Sequence, residues 1–526
     1  MTEPKTSSGE KRAKRIWTLF FILYAASLTF LPAICQTNYR YDVLHQLGIG
    51  REFVFGTYWF PGFSTWLVEI VSLATFRAPF APFLTATLLI LTTIYVVWRF
   101  ALLFLPREKA FFAVAPITAY WYFNMGSAMY NNNGSLTLFW VAALYFFYRA
   151  LTENQARLWL ATGAALGLSI ISKHTAAILA ASILAYMLVN RDARRRWKTP
   201  GPYLAAATTI LVCLPNILFS LEHREAVVAY VTEKRPDGTF GAFAAEFVLG
   251  WATQLLIAAP FLLTLLPILG GVPRLRRRGE VEENAPKIPN EHKNYPATAL
   301  LLPILMQAIF QTASGVAFAE NQYGFQLWPF AGVAILYFFR GETTERAKSL
   351  AFILIASISF GEILSLPIST TCTRVFKAKR SDRFFPGKEL ANEVDAVWSE
   401  RFPDAELPTV AAANTPSWKN LQWNAGVYSR FEPTIVAPEI GAWASDATTN
   451  ERGGVVLWNV DEAEAGAVPE RVRERFPETI WVKEVELRYR MRNPAVEPER
   501  VGIGIVEGER ALTSDGTKIS KKGGAK

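Results

Sequence analysis

The sequence predicts a polytopic α-helical membrane protein with a small soluble α/β domain at its C-terminal end. Three observations carry this prediction. Of the 526 residues, 51% are hydrophobic and 13% aromatic, and the apolar ones gather in runs near the length of about 20 residues that a bilayer crossing needs. Basic residues gather in alternate loops between these runs, as the positive-inside rule requires. Beyond about residue 365 the long runs stop, and short strand-like and helix-like segments replace them.

Taken in order, the chain opens with Lys11, Arg12, Lys14 and Arg15 ahead of an apolar run centred near Phe20. No small-residue cleavage pattern follows, so the run reads as a retained anchor with residues 1–15 in the cytoplasm. The next segment, residues 38–46 (NYRYDVLHQ), sets a carboxylate, an imidazole and an amide just outside the membrane. Spacings of three and four bring Asp42, His45 and Gln46 to one face if the segment is helical. A carboxylate beside a bundle of membrane helices is costly to place without a use, and this segment is the expected chemical centre. One Asp and one His give too few ligands to argue for a divalent ion; a cofactor is left open. Residues 36–79 then carry Trp59, Phe60, Phe63, Trp66, Leu67 and Ile70, with Glu69 interrupting the apolar face. This pattern predicts one or two external helices lying in the interface.

Further apolar runs centre near Leu89, Val114, Val141, Leu166, Ala181, Thr209, Leu256, Ile304, Val333 and Ile353, about eleven spans in all with the first. The basic clusters between them are Arg107 and Lys109, then Arg191, Arg194, Arg195, Arg196 and Lys198, then Arg274, Arg276, Arg277 and Arg278, and finally Arg340, Arg346 and Lys348. With the N-terminus inside, an odd number of spans puts the C-terminus outside. The net charge of +9 therefore reports topology, and no nucleic-acid partner is expected. Residues 158–189 are apolar throughout except at Ser172, Lys173 and His174. One helix of that length would reach about 48 Å against a hydrocarbon core of about 30 Å, so the chain must turn there, on the external side. The external loops also hold residues 124–135, residues 222–240 with Arg224, Lys234 and Arg235, and the stretch around Glu320 and Asn321. Charge dominates the cytoplasmic loops and mixed polar chemistry the external ones, which places the working face outside.

The membrane domain extends over residues 16–367, and residues 368–510 form the external domain. There, residues 389–402 read as an amphipathic helix, 408–413 and 453–460 as buried strands, and 481–489 as a half-exposed strand. Residues 511–526 read as a disordered tail. Cys35, Cys213 and Cys372 make neither a disulfide framework nor a metal spacing.

Several stretches together resemble a known family: YDVLHQ at 41–46, GTYWFPGFSTWL at 56–67, GLSIISKHT at 167–175, LPNI at 214–217 and FQLWP at 325–329, with residues 421–428, 433–436 and 453–458 in the external domain. The chain resembles the GT-C glycosyltransferases, in particular the bacterial family 39 and dolichyl-phosphate-mannose-protein mannosyltransferase-like group, which includes lipid A and lipopolysaccharide glycosyltransferases. The resemblance implies a GT-C-like fold in a bacterial inner membrane, with its active face periplasmic. It implies a polyprenyl-phosphate-linked sugar as donor, membrane lipids around it, and a glycolipid or envelope glycan as acceptor. Asp42 would be the general base. His45, Tyr58, Glu320 and Asn321 would contact donor or acceptor. Two departures accompany it. Val43 and His45 stand where many members carry Glu, and Phe60-Pro61-Gly62 stands where many carry Lys-Pro-Pro. Lys173, Arg224, Lys234 or Arg235 would then hold the donor phosphate.

Bland readings stand beside these. Lys173 snorkels at a turn, the loop bases meet lipid headgroups, Asn131, Asn132 and Asn133 cap a helix, and Trp418 and Trp423 pack in a core rather than on sugar rings. Two other functions stay open. One is a catalytically degenerate scaffold of envelope assembly. The other is a transporter or flippase of a lipid-linked sugar, for which Glu362 is the main mid-span charge and no repeated architecture is evident.

Overall fold

The computed structural model describes residues 8–233, 239–270, 275, 286–317, 321–339, 344–413, 421–460 and 466–508. In chain order the helices are α1 (Ser8–Cys35), α2 (Tyr41–Arg51), α3 (Phe63–Ala74), α4 (Ala81–Ala101), α5 (Arg107–Val114), α6 (Asn132–Glu153), α7 (Ala156–Ile170), α8 (Ala177–Val189), α9 (Arg191–Arg195) and α10 (Gly201–Glu222). There follow α11 (Arg224–Glu233), α12 (Phe240–Leu263), α13 (Leu266–Leu269), α14 (Tyr295–Ser314), α15 (Ala331–Phe338) and α16 (Glu345–Phe376). The last part holds α17 (Gly387–Arg401), β1 (Thr409–Ala412), α18 (Leu421–Tyr428), β2 (Thr434–Ile435), α19 (Asp446–Arg452), β3 (Gly454–Asn459), α20 (Glu470–Arg475), β4 (Ile480–Leu487) and β5 (Glu499–Val506). The chain divides into two compact units, residues 1–32 with 77–366, and residues 33–76 with 367–526.

In the first unit α6 packs against α4 and α7, α7 against α10, and α8 against α14. At the α7–α10 crossing an added Cβ on Gly163 would lie 2.2 Å from the Ala205 carbonyl oxygen. Such close backbone approach is how small residues join membrane helices where no hydrophobic drive exists. Thr209 Oγ1 completes the crossing by donating to the Gly163 carbonyl at 3.1 Å.

Seven helices among the described residues are long and apolar enough to cross a membrane, or eight if α8 and the segment after it count as one bent span. That is fewer than the eleven expected from apolar runs. The centres at Phe20, Leu89, Val141, Thr209, Leu256, Ile304 and Ile353 fall in the long helices, whereas Val114, Leu166, Ala181 and Val333 fall in shorter ones. The reason is clearest after Val114, where α5 gives way to three short 3₁₀ turns. Such backbone is tolerated at membrane depth only when protein satisfies its polar groups. Here Asn124 Nδ2 donates to the carbonyls of Thr118 (2.8 Å) and Ser359 (3.0 Å). Tyr120 donates its hydroxyl to the Gly324 carbonyl at 3.1 Å, and Tyr24 donates to that of Phe123. The run is apolar because protein buries it; hydropathy alone cannot separate that from contact with lipid.

The second unit contains α2, α3 and a five-stranded sheet of order β2-β1-β3-β5-β4. β1 runs parallel to β2 and β3, while β5 is antiparallel to both β3 and β4. The strand period of two sends Val410, Val455, Leu457 and Ile503 to one face, under Leu390 and Trp398 of α17 and Leu421 of α18. Ala411, Val456 and Trp458 go to the other face, under Val472 and Phe476. Helices thus cover both faces of a small α/β sheet. The expected helix at 389–402 and strands at 408–413, 453–460 and 481–489 coincide with α17, β1, β3 and β4. Sequence patterning did not reveal α19, α20 or β5.

Candidate functional site

The candidate residues fall in two groups, each lying within one of the two units. In the second unit α2 begins at Tyr41, after Arg40 in extended backbone (φ −75°, ψ 159°). Asp42 occupies the first turn, where a negative charge is favoured by the helix dipole, and its side chain is half-buried. One turn on, His45 is 3% exposed and sits among aromatic rings: Tyr41 at 3.9 Å, Trp423 at 4.4 Å and Trp59 at 5.9 Å between centroids. Gln46 is buried and accepts a hydrogen bond from Ser64 Oγ of α3 at 2.9 Å. Asp42 therefore stands where α2 emerges, and His45 and Gln46 lie beneath.

Helix α2 is keyed to α18 along its length. A Cβ on Gly48 would come within 2.6 Å of the Trp423 ring, so only glycine admits that indole. Arg51 donates to the Gly426 and Val427 carbonyls, each at 2.8 Å, satisfying the open C-terminal end of α18. Before α2, Asn38 Nδ2 donates to Asn424 Oδ1 at 3.0 Å and to the Asp382 carbonyl at 2.9 Å. Tyr39 stacks on Tyr428 at 5.5 Å, its amide donating to the Tyr428 hydroxyl at 3.0 Å. Burial lowers the Arg40 guanidinium from its ordinary pKa, against the opposing pull of the Asp42 and Asp382 carboxylates. Burial likewise raises the Glu52 carboxyl, opposed by a hydrogen bond to Thr434 and by Arg452 and Arg51. The half-buried Tyr58 lies in the turn before α3, its amide donating to the Ile440 carbonyl at 2.7 Å. The Thr57 hydroxyl ties that turn by accepting from the amides of Trp59 and Phe60.

In the first unit the chain turns at Ser172 and Lys173 between α7 and α8. Lys173 Nζ donates to Asn133 Oδ1 at 2.9 Å and lies 4.4 Å from the centroid of the Tyr323 ring. Asn133 is fully buried at the start of α6. Asn131 caps that helix by accepting from the Asn133 amide, so the asparagine run both caps a helix and seats the lysine. His174 pairs with Asn216 Oδ1 at 3.1 Å. Arg224 is exposed as the first residue of α11. Lys234, Arg235, Glu320 and Trp418 lie outside the described residues, as does the side chain of Asn321, whose backbone opens a 3₁₀ turn (Asn321–Gly324). Among the described residues no group of three His, Cys, Asp or Glu side chains could hold a metal ion.

Sequence reasoning missed Tyr41, Trp59 and Trp423 as the walls around His45, and Asn133 and Tyr323 as the neighbours of Lys173. Trp423 is buried against His45 and Gly48, a packing role. Tyr323 lay two residues beyond a motif read only for its polar members.

Residues 61–219 match the family model for dolichyl-phosphate-mannose-protein mannosyltransferase. Two crystal structures of ArnT from Cupriavidus metallidurans, one bound to undecaprenyl phosphate and one in the apo state, share the fold with a TM-score of 0.54 each. At 13% identity each alignment covers 94% of this chain, with 99% and 98% of the respective ArnT chains. No curated protein sequence matches the chain. The GT-C, family 39-like resemblance read from the motifs is supported by both findings, and the fold is ArnT-like.

Proposed function

We propose that this protein is a membrane glycosyltransferase that moves a sugar from a polyprenyl phosphate to an acceptor on a glycolipid, lipopolysaccharide or other envelope glycan. The observation that carries this reading is the extent of the fold likeness: 94% of the chain aligns with 99% of a protein whose structure holds undecaprenyl phosphate. The family-model match over residues 61–219 points the same way. The setting is an inner membrane with a periplasmic active face, since nucleotide sugars do not reach that face and the activated sugar arrives there on a lipid.

In this reading Asp42 accepts the proton of an acceptor hydroxyl. The freed oxygen forms its bond to the anomeric carbon as the bond from that carbon to the phosphate oxygen breaks, and the phosphate leaves with the electron pair. Attack from the face opposite the phosphate inverts the configuration. General-base help of this kind is worth about 10²–10⁴ in rate. The Asp42 carboxylate is only half-buried in the first turn of its helix, which leaves it accessible to an incoming hydroxyl. Lys173, with Arg224, Lys234 or Arg235, would stabilise the charge that develops on the leaving phosphate. Two contacts support this role for Lys173: Asn133 and Tyr323 hold its ammonium while the side chain stays partly open. His45, Tyr58, Glu320 and Asn321 are proposed as donor or acceptor contacts.

One observation favours the scaffold reading: Phe60-Pro61-Gly62 replaces the usual Lys-Pro-Pro. Purified full-length protein given a panel of undecaprenyl-phosphate hexoses and pentoses, with envelope glycolipid as acceptor, decides between the two. Release of undecaprenyl phosphate with one donor establishes transfer and names the sugar. Release with none of them, from folded protein, would favour the scaffold.

A further inference from the structure

Between the C-terminal half of α8 and the start of α14, the first unit contains a cleft of about 710 Å³, within the range of about 300–1,000 Å³ usual for ligand pockets. Its walls include Tyr186 and Val189 of α8 and Leu302 of α14, and its mouth carries Arg191, Arg195 and Glu291. The geometry of the mouth is fixed. Asn190 Oδ1 accepts from the amides of Asp192 and Ala193, both at 3.0 Å. Asn190 Nδ2 donates to the Glu291 carbonyl at 3.3 Å, joining the two sides. The segment Arg191–Lys198 leaves α8 at 88°, which lays it across the end of the span. It holds five cations and one carboxylate, Asp192, and that carboxylate is already engaged by Arg195 at 3.0 Å.

We propose that this cleft binds an anionic glycerophospholipid of the leaflet at the basic end of the bundle, its acyl chain along Tyr186, Val189 and Leu302 and its phosphate on Arg191 and Arg195. A solvated basic loop satisfies the positive-inside rule without any cavity. Here one cleft is lined both by the two arginines and by Tyr186, Val189 and Leu302, the pairing of chemistries in a phospholipid. Val189, 80% exposed immediately before Arg191, marks the level where hydrocarbon meets headgroup. Basic pockets between spans on the cytoplasmic side recognise anionic headgroups by this logic. The site uses none of the residues proposed for sugar transfer and stands apart from that reading.

The test is native mass spectrometry of the delipidated full-length protein with phosphatidylglycerol or phosphatidylcholine of matched chains. Wild type is expected to retain phosphatidylglycerol in preference. Arg191→Gln with Arg195→Gln lowers that retention on the order of fivefold per arginine, the second change also releasing the Asp192 charge. Ala185 lines the cleft, and Ala185→Trp, which narrows it and leaves the charges in place, lowers retention as well. Equal retention of the two lipids, or retention unchanged by the arginine pair, overturns the proposal; that pair is exposed and leaves the fold intact, so it decides the matter even if Ala185→Trp fails to fold. Retention undiminished in a folded Ala185→Trp variant reduces the effect to surface charge and overturns it too. So does displacement of phosphatidylglycerol by stoichiometric undecaprenyl phosphate.

Discussion

Replacing Arg51 by Met tests whether the helix that carries Asp42 is locked to the C-terminal sheet domain. Arg51 makes two charge-assisted hydrogen bonds of 2.8 Å to the last-turn carbonyls of α18. Bonds to charged groups are worth about 1.5–3 kcal/mol each, so the pair has an upper bound of about 3–6 kcal/mol. Arg51 is only half-buried, and water recovers part of the loss, which leaves about 2–3 kcal/mol. Gly426 and Val427 themselves are buried, so their carbonyls are not fully rehydrated and the loss is not negligible. At 1.36 kcal/mol per tenfold, amide hydrogen exchange of full-length Arg51→Met should speed up by about 30- to 150-fold across residues 421–430. Arg51→Lys, able to supply a single point donor rather than a fork, should fall between. Unchanged protection of residues 421–430 in Arg51→Met would refute the coupling.

Other expectations follow from single contacts. Gly163→Leu should separate α7 from α10 and destabilise the protein by about 1–3 kcal/mol, read as a lower unfolding temperature in detergent; an unshifted temperature would contradict the crossing described. Because burial raises the Glu52 carboxyl, the folded state holds its proton to higher pH than the unfolded chain does. The stability tied to that proton is complete below the ordinary glutamate range and is lost as pH rises through the folded value. Glu52→Gln should therefore flatten the wild-type fall in stability with rising pH, and parallel pH profiles would exclude the effect. On the proposed reading, Lys173→Gln should raise the donor KM at least about tenfold, the loss of one charge-assisted contact, with Lys173→Arg milder. A donor KM unchanged in Lys173→Gln would remove that lysine from the phosphate site.

A helical membrane-type part and a small C-terminal sheet domain were legible because their signals are local: apolar length and a change of period after residue 365; the grouping of residues 33–76 with the second unit was not. That residues 36–79 hold helices and that the chain turns at Lys173 followed from polarity and length alone. The span count was not legible, since the runs at Val114 and Val333 are as apolar as lipid-facing ones yet form α5 with 3₁₀ turns and the eight-residue α15. What tells them apart is the polar satisfaction given by Asn124, Tyr120 and Tyr24, contacts across more than a hundred residues in places. The candidate site shows the same division. That Asp42, His45 and Gln46 share one helix was readable from spacing. The Trp423 wall and the Asn133–Lys173–Tyr323 group join residues far apart in sequence. β5 escaped because its glycines, Gly502 and Gly504, erase the strand pattern; a Cβ on Gly502 would strike the Trp458 ring and one on Gly504 the Thr479 methyl.

The central claim, a carboxylate at the head of α2 acting as base, is tested most directly by comparing Asp42→Asn with wild type once a donor is found. The measurement is single-turnover release of undecaprenyl phosphate at saturating donor, alongside a donor-binding titration of each protein. The account predicts that the chemical step falls by about 10²–10⁴ while donor affinity stays near that of wild type. A folded Asp42→Asn variant that turns over within a few-fold of wild type would contradict it.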